Sequence, residues 1–289
     1  MILDGKLVAA SLKEQLKEEI HGRMDVIGRR PRLLIISVGD DPASKVYVRN
    51  KLKVAEEVGI IATHFPMTED VDSEYVIDII KKFDDCAEVD GIMVQLPLPS
   101  HLDERAIIDA ITSEKDVDGL TTTNIGRLRS GQPCLEPCTA RGVMDILKYY
   151  NIDVEGKDVA IIGRSNIVGK PLADMMMAAG ATVTQCHSKT TDIPWHLRGM
   201  DIIVSAVGKP RYWNREHITE LWNEPGKLPV IVDVGINRDE DGKLCGDVDF
   251  EDVVNKCAAI TPVPGGVGPM TVAELMKNVV IAWRKNNGK

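Results

Sequence analysis

Apolar runs that end in a Gly or Pro turn recur along this chain, and most are followed by a helical pattern. Leu33 to Val38 (LLIISV), Gly91 to Leu96 (GIMVQL), Val159 to Ile162 (VAII), Ile202 to Ser205 (IIVS) and Val230 to Val234 (VIVDV) are the clearest. A strand with one wet face alternates polar and apolar residues. A near-continuous run is the mark of a strand buried on both faces, as in a parallel sheet covered by crossover helices. The order of strand-like and helix-like segments therefore predicts an α/β protein with parallel sheets and helices on both faces.

The segments can be placed in more detail. Asp4 is positioned to cap a helix in which Leu12, Leu16, Ile20 and Met24 repeat every four residues. Helices are expected over Ala43–Val58, Ser73–Phe83, Val143–Tyr150 and Val272–Asn286, with further strands at Ile60–Phe65 and Thr182–Gln185. The regular pattern lapses between Asp116 and Pro137, which reads as a connection between domains. Residues 1–120 with 272–289 then form a first, discontinuous domain, residues 140–271 a second, and residues 121–139 the connection.

Composition narrows the function classes. The chain has 289 residues, 44% of them apolar, enough for two cores. A net charge of −9 and the lack of a long Lys/Arg run argue against nucleic acid or an anionic membrane as partner. No apolar stretch approaches the roughly 18 residues of a membrane span, and the first twenty residues lack a signal-peptide layout. Six cysteines are scattered, and the one close pair, Cys134 and Cys138, has no zinc-like partner spacing. They read as reduced structural thiols, in a soluble cytoplasmic enzyme with no metal.

Several loops carry chemistry. Six of the eleven residues of Thr261–Thr271 (TPVPGGVGPMT) are Gly or Pro, a stiff loop after an apolar run, where open α/β sheets bind ligands. Gly163 to Pro171 (GRSNIVGKP) follows a strand and leads into a helix, an arrangement that offers free N–H groups to an anion. Its spacing matches the usual dinucleotide fingerprint only loosely. The acid that NAD-binding proteins place about 20 residues on is replaced by Cys186-His187-Ser188-Lys189, and Arg164 stands inside the loop. These residues welcome a 2′-phosphate, so NADP is expected over NAD. Val207-Gly208-Lys209-Pro210 and Gly235-Ile236-Asn237 end later strands, where the nicotinamide and its ribose would lie. Ordinary turns are the competing reading for both.

In the first half, Tyr47 and Lys51 share a helix face. Gln95 closes a strand beside Leu96-Pro97, and Lys115-Asp-Val-Asp118-Gly offers two carboxylates with a turn-forming Gly. An Asp of this pair can take two N–H donors from a cyclic amidine such as a pterin, or it can simply make an Asx turn. The bonds Leu96–Pro97 and Val263–Pro264 are candidates for cis peptides.

The ordered set YVRNK (47–51), VQLPLP (94–99), KDVDG (115–119), GRSNIVGKP (163–171), DVGIN (233–237) and TPVPGGVGPMT (261–271) resembles the methylenetetrahydrofolate dehydrogenase/methenyltetrahydrofolate cyclohydrolase family. The resemblance covers essentially the whole chain. It implies two α/β domains flanking a cleft, the second a Rossmann-like doubly wound parallel sheet. It also implies NADP as cofactor, tetrahydrofolate derivatives as substrates, and a homodimer. The implied catalytic set is Lys51 with Tyr47, Gln95 and Asp118. Tyr47, Leu96, Pro97, Asp118, Pro264 and Gly265 would meet the folate. Gly163, Arg164, Ser165, Ile167, His187, Ser188, Val207, Gly208 and Ile236 would meet NADP. Two departures stand out: Ala140 where the family commonly has Pro, and a longer 212–229 segment containing Trp213 and Trp222. Short-chain dehydrogenases also use Tyr-x-x-x-Lys, but there the pair follows the Gly loop, whereas here it precedes it by more than a hundred residues. The same motifs would also fit an NADP sensor without catalysis, or a family member with only one of the two activities.

Overall fold

The computed structural model describes residues 1–217 and 228–287. Residues 218–227, which include Trp222 and most of the longer segment, lie outside the described residues. The chain divides into two compact units, one of residues 11–138 with 272–289, the Lys51 unit, and the other of residues 1–10 with 139–271, the Gly163 unit.

The Lys51 unit is built on a parallel sheet of β1 (Arg32–Val38), β2 (Ile61–Met67) and β3 (Gly91–Val94), in the order β2-β1-β3. Ile36 pairs with Phe65 on one side and Val94 on the other. The reason β1 is apolar at nearly every position is visible in its packing. Leu33 and Ile35 face one core, with Val48 and Ala55 of α2 (Pro42–Val58) and Leu275, Met276 and Trp283 of the C-terminal helix (Val267–Asn287). Leu34, Ile36 and Val38 face the other, with Val76 and Ile80 of α3 (Ser73–Asp84). Two short helices, α4 (Glu104–Asp109) and α5 (Thr122–Arg129), have no counterpart in the sequence pattern. The face that α5 buries is Asn124 rather than an apolar stripe, so hydrophobic periodicity is silent there.

The Gly163 unit carries a five-stranded parallel sheet, ordered β10-β7-β6-β4-β5. The strands are β4 (Asp158–Ile162), β5 (Thr182–Cys186), β6 (Ile202–Ser205), β7 (Val230–Asp233) and β10 (Ala259–Ile260), with α6 (Cys138–Tyr149) leading in. A small antiparallel pair, β8 (Asn237–Arg238) and β9 (Leu244–Cys245), sits beyond β7. From β4 the chain passes through α7 (Gly169–Ala178) to β5 on one side, then returns to β6 on the other. The order reverses between β5 and β6, and the carboxyl ends of β4 and β6 flank that switch point, where doubly wound sheets bind ligands. The amino terminus extends this sheet: Ile2 bridges Ile260, and Leu3 N donates to Ile260 O at 2.8 Å. Asp4 then caps α1 (Gly5–Ile27), its Oδ1 accepting from Lys6 N and Leu7 N. Trp213 is buried in the core of this unit with Ile203 and Val248.

The last helix starts five residues earlier than its apolar pattern, at Val267 inside the Gly/Pro loop. Pro269 falls in the first turn, where its missing N–H costs no helical bond.

Candidate functional site

In the Lys51 unit, α2 is fixed at its start by Asp41, whose side chain accepts from Ser44 N, and by Pro42. Tyr47 and Lys51 follow on one face. Tyr47 is 40% exposed, and Lys51 is partly buried. The Lys51 ammonium donates to Gln95 Oε1 at 2.9 Å. Gln95 is buried and held at three points: its N donates to Ile36 O at 2.7 Å, its Nε2 donates to Leu96 O at 2.6 Å, and its Oε1 takes the lysine. A carboxamide tied in this way has its oxygen directed at Lys51 and its nitrogen away. Leu96 is partly buried, Pro97 is exposed, and the bond between them is cis.

The loop after Lys115 is organised by the first of its two carboxylates. Asp116 is buried and accepts from Gly119 N, Leu120 N, Thr121 N and Asn124 Nδ2. Asp118 is the second. Burial drives its carboxyl upward in pKa, the nearby Lys51 charge opposes this, and Asp116 adds to it. Burial lowers the Lys51 ammonium below its ordinary value, with Asp118 and then Cys138 opposing. Desolvation therefore outweighs attraction for both groups, and each is pushed toward its neutral form.

Two neighbours of this cluster escape sequence reading. Cys138 is buried, its Sγ donates to Val117 O at 3.3 Å, and burial next to Asp118 and Glu274 raises its thiol well above the usual range. Asn278, on the C-terminal helix, donates to Val117 O at 2.9 Å and Glu136 O at 2.8 Å, pinning the stretches of chain on either side of the cluster.

In the Gly163 unit, β4 ends at Ile162. Gly163 follows with φ 135°, and a Cβ there would meet Ala206 O at 2.5 Å. No side chain fits this position. Ser165 Oγ accepts from Val168 N at 3.2 Å and Gly169 N at 3.4 Å, tying the loop to the start of α7. Arg164, Ser165 and Ile167 are all exposed. After β5 come His187, partly buried, and Ser188 and Lys189, both exposed. His187 Nδ1 accepts from Lys189 N at 3.2 Å, and its N donates to Thr190 Oγ1 at 2.9 Å. Val207 is partly buried and Gly208 exposed after β6, and Ile236 is 46% exposed after β7. Pro264 follows a second cis bond and Gly265 has φ 114°. These two belong to the Gly163 unit, whereas Lys51, Tyr47, Gln95, Leu96, Pro97 and Asp118 belong to the other.

The residues present suit NADP. The strand–loop–helix turn packs against Ala206 as closely as it does only because Gly163 has no side chain. The polar groups around it are Arg164, Ser165, Ser188 and Lys189, with no carboxylate among residues 186–190 to repel a phosphate. Among the described residues no group of three or more His, Cys, Asp or Glu is placed to hold a metal ion, and no helix is long and apolar enough to cross a membrane.

Comparison with known proteins agrees over the full chain. Residues 3–118 match the catalytic domain of tetrahydrofolate dehydrogenase/cyclohydrolase, and residues 137–287 match its NAD(P)-binding domain. The bifunctional protein FolD of Moorella thermoacetica is 47% identical over 98% of this chain and 99% of its own, and that of Agathobacter rectalis is 44% identical over the same shares. The crystal structure of the bifunctional methylenetetrahydrofolate dehydrogenase/cyclohydrolase FolD from Campylobacter jejuni superposes with a TM-score of 0.93, at 44% identity and 99% coverage of both chains. The Trypanosoma brucei N5,N10-methylenetetrahydrofolate dehydrogenase-cyclohydrolase, solved with NADP and an inhibitor, gives 0.92 at 36% identity, covering 100% of this chain and 99% of its own. With both halves matched in order, this chain belongs to the tetrahydrofolate dehydrogenase/cyclohydrolase family.

Proposed function

We propose that this enzyme oxidises 5,10-methylenetetrahydrofolate to 5,10-methenyltetrahydrofolate with NADP and hydrolyses the product to 10-formyltetrahydrofolate, with Lys51 as the proton-transfer group of the second step. Family membership carries the reaction. The bond from Lys51 Nζ to Gln95 Oε1, in a site that favours the neutral amine, carries the assignment of Lys51.

When bound, NADP supplies the hydride acceptor for the methylene bridge. Gly163, Ser165 and Ile167 are the residues that would hold its phosphates and ribose, Arg164, His187 and Ser188 its 2′-phosphate, and Val207, Gly208 and Ile236 its nicotinamide end. The folate falls to Tyr47, Leu96, Pro97, Pro264 and Gly265. Asp118 anchors the pterin through its 2-amino group and the adjacent ring N–H. The domains proposed for these roles are residues 1–120 with 272–289 for folate and 140–271 for NADP, joined by 121–139.

In the hydrolytic step water adds to the methenyl carbon and loses a proton. Neutral Lys51 takes that proton and returns it to N5 as the carbon–N5 bond breaks. The remaining hydroxyl proton leaves as the formyl C=O forms, so one proton is released overall. An unperturbed Lys, with a pKa of about 10.4, is too rarely neutral to do this near pH 7. Burial shifts the Lys51 amine in the required direction. The N–H given to Gln95 leaves the lone pair free to point elsewhere.

The test mixes purified protein with 5,10-methylenetetrahydrofolate and NADP and records NADPH and methenyl absorbance together. The expected result is NADPH formation with little methenyl accumulation, and decay of added methenyl substrate faster than its spontaneous rate. Spontaneous decay alone would remove the hydrolytic role of Lys51. We further propose a homodimer, as the family resemblance implies, and, from composition, a cytoplasmic location with no nucleic-acid partner given the net charge of −9. Light scattering on the purified protein tests the dimer.

A further inference from the structure

The two loops assigned to the nicotinamide end share one anchor. Asp247 is fully buried. Its Oδ2 accepts from Ser205 Oγ at 3.0 Å and Val207 N at 2.7 Å. Its Oδ1 accepts from Lys209 N at 3.0 Å and Asn237 Nδ2 at 2.9 Å. One carboxylate thus takes four donors: two backbone N–H groups from the loop after β6, a hydroxyl from the end of β6, and a side-chain amide from the residue that follows Ile236.

Asp247 is itself fixed from below. Its N donates to Asp233 Oδ1 at 3.0 Å, and Asp233 also accepts from Gly235 N at 2.9 Å and Val248 N at 2.9 Å. Gly246 makes room for this, since a Cβ there would collide with Asp233 Oδ2. Asp233 ends β7, so the chain of support runs from a core strand through two buried carboxylates to the loops at the switch point.

We propose that Asp247 is a positioning residue that fixes the main chain of Val207–Lys209 and the register of Ile236–Asn237, so that these loops receive the nicotinamide end of NADP. A carboxylate is the only side chain of its size that accepts at both oxygens. Asparagine in its place keeps the shape but turns one of the two acceptors into a donor, which leaves a backbone N–H, that of Val207 or of Lys209, without a partner and forces Ser205 or Asn237 to reverse its role. The adenosine end, held at Gly163–Gly169 and Ser188, has no bond to Asp247. The inference rests on the functional reading above, and binding separates the two.

The experiment measures the affinity of Asp247→Asn and of the milder Asn237→Ala for NADP and for adenosine 2′,5′-bisphosphate, which lacks the nicotinamide half. Dehydrogenase kinetics are measured alongside. For Asp247→Asn the expected loss is about tenfold in NADP affinity and in kcat/KM for NADP, with adenosine 2′,5′-bisphosphate affinity held within about twofold. Asn237→Ala, which removes one donor and leaves the carboxylate in place, should show the same selectivity with a loss of roughly threefold. Parallel weakening of both ligands would reduce Asp247 to a purely structural role and overturn the proposal. So would unchanged NADP affinity in a folded Asp247→Asn protein. If Asp247→Asn fails to fold, Asn237→Ala decides by the same two criteria. Wild-type protein that binds NADP but forms no NADPH from methylenetetrahydrofolate would sink the functional reading while leaving the binding comparison intact.

Discussion

The two units prepare for their ligands with different materials. In the Lys51 unit the groups that face chemistry are side chains on or beside regular elements: Lys51 on a helix, Gln95 at a strand end, and Asp118 in a loop that Asp116 holds by four hydrogen bonds. In the Gly163 unit the corresponding surface is largely backbone, shaped by a glycine where no side chain fits and by buried carboxylates that face inward. A side-chain site gains its power from desolvation, which shifts pKa values. A backbone site gains it from rigidity, which presents N–H groups in place. Changing one side chain should therefore be close to all-or-none in the first unit and graded in the second.

The largest expected effect lies at Lys51. Lys51→Met should lower cyclohydrolase turnover by about 10²–10⁴, to the spontaneous rate or near it, while far-UV circular dichroism and unfolding stay close to wild type. Because the neutral amine is the active form, wild-type turnover should rise with pH and level off above the Lys51 pKa. Since burial lowers that pKa, the rising limb must lie below the ordinary value of 10.5. A variant that hydrolyses methenyl substrate normally would break the contrast between the units at its strongest point.

Asp233 offers the next effect, in stability. Burial, set against three N–H donors, raises its carboxyl from 3.8 to about 7. A carboxyl with a raised folded-state pKa holds its proton better when folded. Its contribution to stability is complete below 3.8 and is lost as pH rises through about 7. Asparagine does not titrate, so the unfolding free energy of wild type minus Asp233→Asn should fall by about 2–3 kcal/mol from pH 5 to pH 8. Denaturant titrations at the two pH values measure this. A flat difference would mean that the N–H donors dominate and the carboxylate is charged throughout.

These two tests also mark what is readable in the sequence. Gln95 stands out because an amide is unusual at the end of an apolar run, whereas Lys51 on a helix and Asp118 in a turn are common placements that gain meaning only from the ordered set of motifs. Gly163 and the Gly/Pro loop are legible because such composition has few structural uses. Cys138 reads as one more scattered thiol, since nothing local to it shows that its Sγ reaches Val117 O and that Asp118 stands beside it. Asn278 acts across 161 residues and Asp247 across 40, and a partnership made only by the fold leaves no spacing to recognise. The helix α5 is hidden for a related reason: it is held by the cap of Thr121 and by buried Asn124 rather than by an apolar stripe.

Arg164 tests whether the Gly163 unit discriminates cofactors by a side chain after all. It stands in the loop after β4, which is proposed to receive the cofactor, and a charge-assisted contact to a 2′-phosphate is worth roughly tenfold in affinity. Arg164→Ala should lower the ratio of kcat/KM for NADP over NAD by about that factor, with Lys189 and Ser188 retaining part of the preference. The effect is expected mainly in KM, because a 2′-phosphate is remote from the reacting carbon and is bound equally before and during hydride transfer. An unchanged ratio would assign NADP selection to the backbone and to the absence of an acid after β5.

The smallest effect sharpens the comparison from the other side. Thr121 is buried, and its Oγ1 accepts from Asn124 N at 3.3 Å as the cap of α5. Thr121→Ala removes that cap and should cost about 1 kcal/mol of stability. Three of the four bonds to the Asp116 carboxylate come from the backbone of Gly119, Leu120 and Thr121, which the substitution leaves unaltered, and only the fourth comes from Asn124 Nδ2 in the capped turn. Asp118 should therefore stay in place, and both activities should hold within about twofold while the unfolding midpoint drops. Activity falling faster than stability would show that the Lys51 unit also depends on fine backbone placement, and the division between a side-chain site and a backbone site would have to be redrawn around α5.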